Sequence, residues 1–409
     1  NTGWMNGDIK GAFLSDTDDT DVVGGVNLVS STFLDSEWGQ TEDGWTISSG
    51  VASCDGVDSF EFLYVLPSVT GLSEHEQVAM TFTISNYTSG ALRISFGNGT
   101  PTADTFTANG TYTVLGAVTQ NTNIYFKSVN FNGSLESPII ERAEEDRSVN
   151  GKGLIVNGTV TKNPVATGAD LVAYSGFSAS NYLEQPYNSD LDFGTGDFSA
   201  MYWVKTTDNY YTALENRSAD NASGWNLNAT AAGSTTRLSL ILAGTQASSG
   251  EVSQIVSGSW THIVAQRVGT VVQFYINGGL AATDSSIDWA TKSATKADTT
   301  GLKIGVRRDG AQNLSGFLAL LRTSATAPPP EQIAKIYNDE KVLFQENAQA
   351  TLYGTSDAVK ALAHDDDTNL LHVGTSAGRS VFQGLRRVDN TTTAVGTAIS
   401  AANNMIVEE

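Results

Sequence analysis

A single cysteine, Cys54, stands in 409 residues, so no disulfide can form within the chain and a small disulfide-stapled extracellular scaffold is excluded. Stability has to come from burial. Cys54 has no cation or histidine beside it in sequence to activate a thiolate, and it reads as a small hydrophobe in a strand. Basic residues are also scarce: 23 Lys and Arg against 44 Asp and Glu leave a formal charge of −21. That charge repels phosphate backbones and argues against nucleic acid as a partner. No apolar run approaches the ~18 residues that cross a bilayer, so membrane insertion is not expected, and the first residues lack the basic and apolar regions of a signal peptide. The chain begins at Asn1 rather than Met, which suggests a fragment or a processed piece. With four histidines there is no His-Glu-x-x-His, and no Gly-x-x-x-x-Gly-Lys-Ser/Thr phosphate loop.

What is abundant is glycine, 40 residues of it, among many Thr, Ser and Asn, a composition that suits short strands joined by turns. The length predicts two to four domains. The clearest local signal is residues 258–279, where two runs rich in β-branched and aromatic residues meet at Val268-Gly269-Thr270 and close on Asn277-Gly278. Asn-Gly supplies the two positive φ angles of a tight hairpin, so a third strand is predicted at Leu280 to Thr283. Residues 27–143 carry evenly spaced strand candidates: Gly44 to Ile47, Phe60 to Leu66, Val78 to Ser85, Leu92 to Phe96, Thr111 to Leu115, Ile124 to Ser128 and Pro138 to Ile140. Their turns are expected at the Asn-Gly pairs that begin at 98, 109 and 132. Ile333, Ile336 and Tyr337 form the apolar stripe of one short helix opened by Pro328-Pro-Pro330, and it should pack back on a sheet.

The expected fold class is therefore all-β, with tandem antiparallel sandwiches and one helix. Asn27-Leu-Val, Gly44-Trp45-Thr, Phe106-Thr-Ala-Asn-Gly-Thr-Tyr112 and Asn123-Ile-Tyr-Phe126 resemble the jelly-roll, carbohydrate-binding-module-like domains of phage tail proteins. Phe198-Ser-Ala-Met-Tyr-Trp-Val-Lys205, the hairpin with Trp260, Gly316-Phe-Leu-Ala-Leu-Leu-Arg322 and the helix after it resemble the laminin G-like, or concanavalin-like, family. Val359 to Ala363 and Leu370 to Gly374, with the strand that follows, resemble one β-propeller blade, whereas a propeller needs about four to eight. The expected organisation is an N-terminal segment and linker at 1–26 and a jelly roll at 27–143. A connector at 144–169 leads to a laminin G-like sandwich with its helix at 170–349 and a blade fragment at 350–409. Either the rest of the propeller lies outside the chain, or segments 1–26 and 350–409 dock as a partial blade set.

Candidate chemistry is sparse. Asp16, Asp18, Asp19 and Asp21 offer oxygens to Ca²⁺, the one cofactor the sequence leaves open, but the run lacks the Gly and terminal Glu of an EF-hand and reads as a solvated turn. Glycoside hydrolysis needs two carboxylates about 5 to 9.5 Å apart. The nearest local candidate, Glu74-His75-Glu76, reads as a turn cap, and the Glu-x-Asp-x-Glu strand of the concanavalin-like glycosidases is missing. His364-Asp365-Asp366-Asp367 reads as a hairpin turn rather than a metal site. Trp45, Trp203, Trp260 and Phe274 fall inside strand patterns and are assigned to cores. The segments 207–212 and 216–225 place aromatics beside amides and carboxylates, the mixture that stacks on sugars and bonds their hydroxyls. Tyr210, Tyr211, Asn216 and Trp225 are accordingly the candidate glycan-binding residues. No catalytic residue is assigned.

The order of modules resembles bacteriophage tail-fibre or other virion surface proteins. That resemblance implies a non-enzymatic protein on the virion, made in the host cytoplasm, that recognises host-surface polysaccharide beside other virion proteins. It also implies a homo-oligomer, with a trimer expected. The alternatives are a polysaccharide depolymerase tailspike and a purely architectural decoration or filament subunit.

Overall fold

The computed structural model describes residues 8–407 apart from 42–43, 58, 74–75, 98–104, 120–122, 149, 233–234, 253–254, 256, 356–357, 396–399 and 403–404. The hairpin forms as its turn chemistry requires. Strands Thr261–Val268 and Val271–Ile276 pair in register, and Asn277 and Gly278 take φ of 50° and 81° before strand Gly279–Asp284 returns.

This hairpin forms one side of a large two-sheet sandwich. Among the described residues one sheet runs Val22–Val23, Thr159–Pro164, Val172–Ser175, Gly316–Ser324, Phe198–Thr206, Thr261–Val268, Val271–Ile276, Gly279–Asp284, with Ile9–Phe13 also paired to Gly316–Ser324. The facing sheet runs Ile155–Asn157, Tyr182–Gln185, Leu302–Ile304, Tyr211–Arg217, Gly224–Ala232, Thr235–Leu242, Thr245–Ser248. Phe198, Tyr202, Trp225, Leu240, Phe274 and Leu318 fill the space between them.

Two expected boundaries move. The N-terminal segment is no linker: Ile9–Phe13 and Val22–Val23 are strands of this sandwich, and Phe13 and Leu14 are buried in its core. Among the described residues its strands pair with none of the blade strands. The connector 144–169 likewise holds strands Ile155–Asn157 and Thr159–Pro164 of the same sandwich. The jelly roll is thus an insertion between two pieces of the larger domain. The acidic run stitches this together. Asp16 accepts from the Lys162 ammonium at 2.9 Å and Asp21 from the Lys162 amide at 3.1 Å, while Asp16 and Asp18 also cap the turn amides of Thr17, Asp18 and Thr20.

The helix Pro330–Glu340 packs on the outer side of the nine-stranded sheet, as its stripe predicts, through Ile333 and Ile336 against Met201, Val264 and Tyr275. Trp203 and Trp260 are packed on this outer side, in the layer with Tyr337 and Phe344, and Phe274 in the main core. Beneath the helix, Glu340 forms an ion pair with Arg322 at 2.5 Å and accepts the Trp203 indole N–H at 2.8 Å. His262 lies beside Trp203, fully buried, with neither ring nitrogen hydrogen-bonded. Burial first, and the Arg322 charge second, hold its pKa down at about 3.

A pH dependence follows. Below pH ~6.5 the unfolded chain takes up a proton on this histidine and the folded chain does not, so stability should fall as pH drops from ~6.5 towards 3. The slope from this group is about 1.4 kcal/mol per pH unit, and it should be absent in His262→Gln when urea midpoints are measured across that range.

The small sandwich is built on two long strands, Gln77–Phe96 and Ile124–Arg142, which pair along most of their length. Each fuses two strands expected separately. Asn86, Gly90 and Asn130 take positive φ and the register shifts there, so both strands bend without leaving the ladder. A side chain at Gly90 would overlap the carbonyl of Asn130, which explains the glycine. Asn132-Gly133 is consequently part of this bend, not a hairpin turn. Cys54 is buried on strand Val51–Asp55, and Trp45 is buried and stacked on Phe131. At the C-terminal end, Val359–Asp365, Leu370–Thr375, Gly378–Gln383 and Arg386–Thr391 form a four-stranded antiparallel meander with the form of one propeller blade. Leu385 and the Gln349 to Arg387 bridge attach it to the large sandwich.

Candidate functional site

The candidate glycan residues do not form one surface. Tyr210 lies in the loop before strand Tyr211–Arg217 and is 46% exposed. Tyr211, Asn216 and Trp225 point the other way, into the core. Trp225 donates its indole N–H to the Leu191 carbonyl at 2.9 Å and Asn216 its amide to the same oxygen at 3.3 Å, so the pair pins the turn Ser189–Leu191. Burial pushes the Tyr211 hydroxyl up to about 12. No sugar reaches these three residues, because strand alternation puts Trp225 on the side of Leu227 and Ala229.

Tyr210 sits instead among loops gathered at one end of the sandwich. Thr206 donates its hydroxyl to the Ser315 carbonyl at 2.6 Å, and Thr212 its amide to the Gln312 carbonyl at 2.8 Å, which hold the 207–210 loop against the segment 311–316. Between that segment and the start of the 176–181 loop opens a cleft of about 460 Å³, lined by Ser175, Gly176, Phe177, Asn313, Leu314, Ser315, Gly316 and Phe317. The Asn313 side-chain oxygen has no partner there. The lining is aromatic, amide and hydroxyl, and it carries no charge. This suits a neutral, hydroxyl-rich ligand. Sequence reasoning missed it because Ser175 and Phe317 meet only through sheet pairing.

Around the corner lies the outer face of the seven-stranded sheet. Thr212, Glu215, Asn226, Asn228 and Ser239 project to this side, yet all are buried. Glu215 holds Arg217 with two bonds, at 2.8 and 2.7 Å, and accepts the Asn226 amide at 2.9 Å. Arg307 is paired with Asp309 at 2.6 Å, and the hydrogen bond and charge of that carboxylate, with a smaller part from Glu215, keep its proton more firmly bound.

The other candidates resolve as structural. Glu74 and His75 lie outside the described residues, while Glu76 caps the Ser73 amide at 2.6 Å. Asp365 accepts from the Asp367 amide and the Thr368 hydroxyl in the expected hairpin turn, with His364 bonded to Asp366 at 2.8 Å. Gly374-Thr-Ser-Ala-Gly378 has the spacing of a hydrolase nucleophile elbow, but it joins strand to strand in the blade, whereas an elbow joins strand to helix. No group of three or more His, Cys, Asp or Glu able to hold a metal ion occurs among the described residues.

Residues 177–334 match the family model of laminin G-type domains described as the concanavalin A-like lectin/glucanase superfamily. The large domain is a concanavalin-like sandwich. No protein of curated function matches the chain in sequence. Among solved structures, domain 4 of an extracellular arabinanase from Geobacillus stearothermophilus, in complex with arabinotriose, is 17% identical with a TM-score of 0.35, over 47% of this chain and 92% of that one. The receptor-binding domain of a botulinum neurotoxin C/D mosaic is 14% identical with a TM-score of 0.37, over 59% of each chain. The binding domain of Paraclostridial mosquitocidal protein 1 is 13% identical with a TM-score of 0.39, over 58% of this chain and 61% of that one. The chain thus spans about three fifths of the two toxin domains.

Proposed function

We propose that the concanavalin-like sandwich binds a surface polysaccharide in its loop-end cleft, without cleaving it, and that the whole chain serves as a tail-fibre or other surface component of a virion. The observation that carries the binding reading is the cleft itself: half-buried Phe317 beside an unpartnered Asn313 amide oxygen and two serines, with no carboxylate in the lining. Stacking on the aromatic and hydrogen bonding to the amide hold a sugar. Cleavage would need a carboxylate pair across it. The virion setting, with host-surface polysaccharide and other virion proteins as partners, is supported by the resemblance in the order of modules. A homotrimer would let weak cleft contacts add through effective concentration.

The test is incubation with a panel of bacterial capsular polysaccharides and lipopolysaccharides, reading both retention of the protein and polysaccharide length. Retention without shortening is expected. Asn313→Ala should weaken it by roughly tenfold, the scale of one hydrogen bond to a ligand in a shielded site, with an unchanged melting temperature. Newly formed reducing ends would replace the binding reading with the depolymerase one.

A further inference from the structure

We infer that the cavity between the large sandwich and the blade binds a medium-chain fatty acyl compound, with Arg322 donating to its carbonyl oxygen. The cavity holds about 240 Å³ and reaches from the sheet, at Leu171 and Leu320, past Leu343 after the helix to Ala350 and Leu385, where the blade is attached. Its walls are mostly aliphatic. Leu171 and Leu343 belong to the apolar layer outside the nine-stranded sheet, and Leu320, Ala350 and Leu385 pack against that layer, so the space continues a core. An apolar cavity on the order of 150 Å³ stays dry and takes up benzene. On the same scale this one has room for about ten non-hydrogen atoms, which is a chain of about eight carbons with an oxygenated end.

One end of the space is charged, because Arg322 and Glu340 both line it. The two Glu340 oxygens are already engaged, one by Arg322 at 2.5 Å and the other by the Trp203 indole at 2.8 Å. The guanidinium is not. Among the described residues Glu340 is its only polar partner: Nη2 meets that carboxylate, Nε is enclosed without a hydrogen bond, and Nη1 is neither bonded nor enclosed. The other charged residue of the lining, Arg147, is paired with Glu145 at 2.8 Å. What the charged end lacks is therefore an acceptor, since a guanidinium can only donate. A sugar would bury its hydroxyls against leucine at a cost. An acyl chain meets both demands, with its carbonyl oxygen on the Arg322 N–H and its methylenes on the leucines.

The test is calorimetric titration with octanoate, methyl octanoate and octylamine, which share the chain and differ in the head group. Both acyl compounds should bind, and octylamine, a cation that only donates, should bind at least about tenfold more weakly. If octanoate is the tighter of the two, the natural source is a free acid; if the ester is tighter, it is an esterified chain. Ala350→Leu occupies part of the space and should weaken both acyl ligands by about tenfold or more, with the melting temperature unchanged or raised. Arg322→Met combined with Glu340→Gln strands no charge and keeps an acceptor for Trp203. In that double variant the chain should still bind, and the preference over octylamine should vanish. Acyl compounds that bind no tighter than octylamine, or that bind the Ala350→Leu and double variants as they bind the native chain, overturn the inference.

Discussion

Replacing Glu340 by alanine should destabilise the large sandwich by about 3–5 kcal/mol, the range for breaking one side of a buried ion pair. The Arg322 guanidinium would be left in the layer between sheet and helix without its carboxylate, and the Trp203 indole would lose its acceptor. The penalty comes from stranded groups rather than from the attraction itself, so the partial remedy is specific. Glu340→Gln keeps an acceptor for the indole and should recover part of the loss. Denaturant midpoints on the three proteins measure this. A loss below about 1 kcal/mol in the alanine variant would place the pair with exposed salt bridges and contradict its buried role.

Removing residues 1–23 should have an effect at least as large. Phe13 and Leu14 leave the main core, strand Ile9–Phe13 leaves the edge of Gly316–Ser324, the Asp146 carboxylate loses the Ala12 amide, and the Lys162 ammonium loses Asp16. Truncating the phenylalanine alone is worth about 3–5 kcal/mol. For a sandwich of this size, calorimetry should show its transition falling by roughly 10 °C or more. The small sandwich, which has its own core, should melt as before. An unmoved large-sandwich transition would return this segment to the status of a linker.

What could be read from the sequence was what local chemistry decides. Asn277-Gly278 specifies its own φ angles, and the Ile333, Ile336, Tyr337 stripe specifies its own helix, so both formed where expected. The long strand Gln77–Phe96 reads as two strands parted around Asn86 and Gly90, and Ile124–Arg142 as two parted around Asn130 and Ser137, because residues that tolerate positive φ look alike whether they end a strand or bend it. The N-terminal strand carried no signal of its destination, since its partner lies at the far end of the domain. The site shows the same division. Period-two alternation with Leu227 and Ala229 was available to send Trp225 inward, and a mixture of aromatics and amides outweighed it. Tyr210 alone stays exposed, on the loop held against the 311–316 segment. Asn313 and Phe317 gained their role only when the 311–316 segment was laid against the strand ending at Ser175, a juxtaposition no local pattern announces.

The most direct test of sugar binding at the loop end is hydrogen–deuterium exchange of the chain with and without a polysaccharide that retains it. Protection confined to residues 175–181, 207–212 and 311–317 is the expected result. Protection elsewhere with these segments unchanged, for example on the small sandwich or the blade, would contradict it.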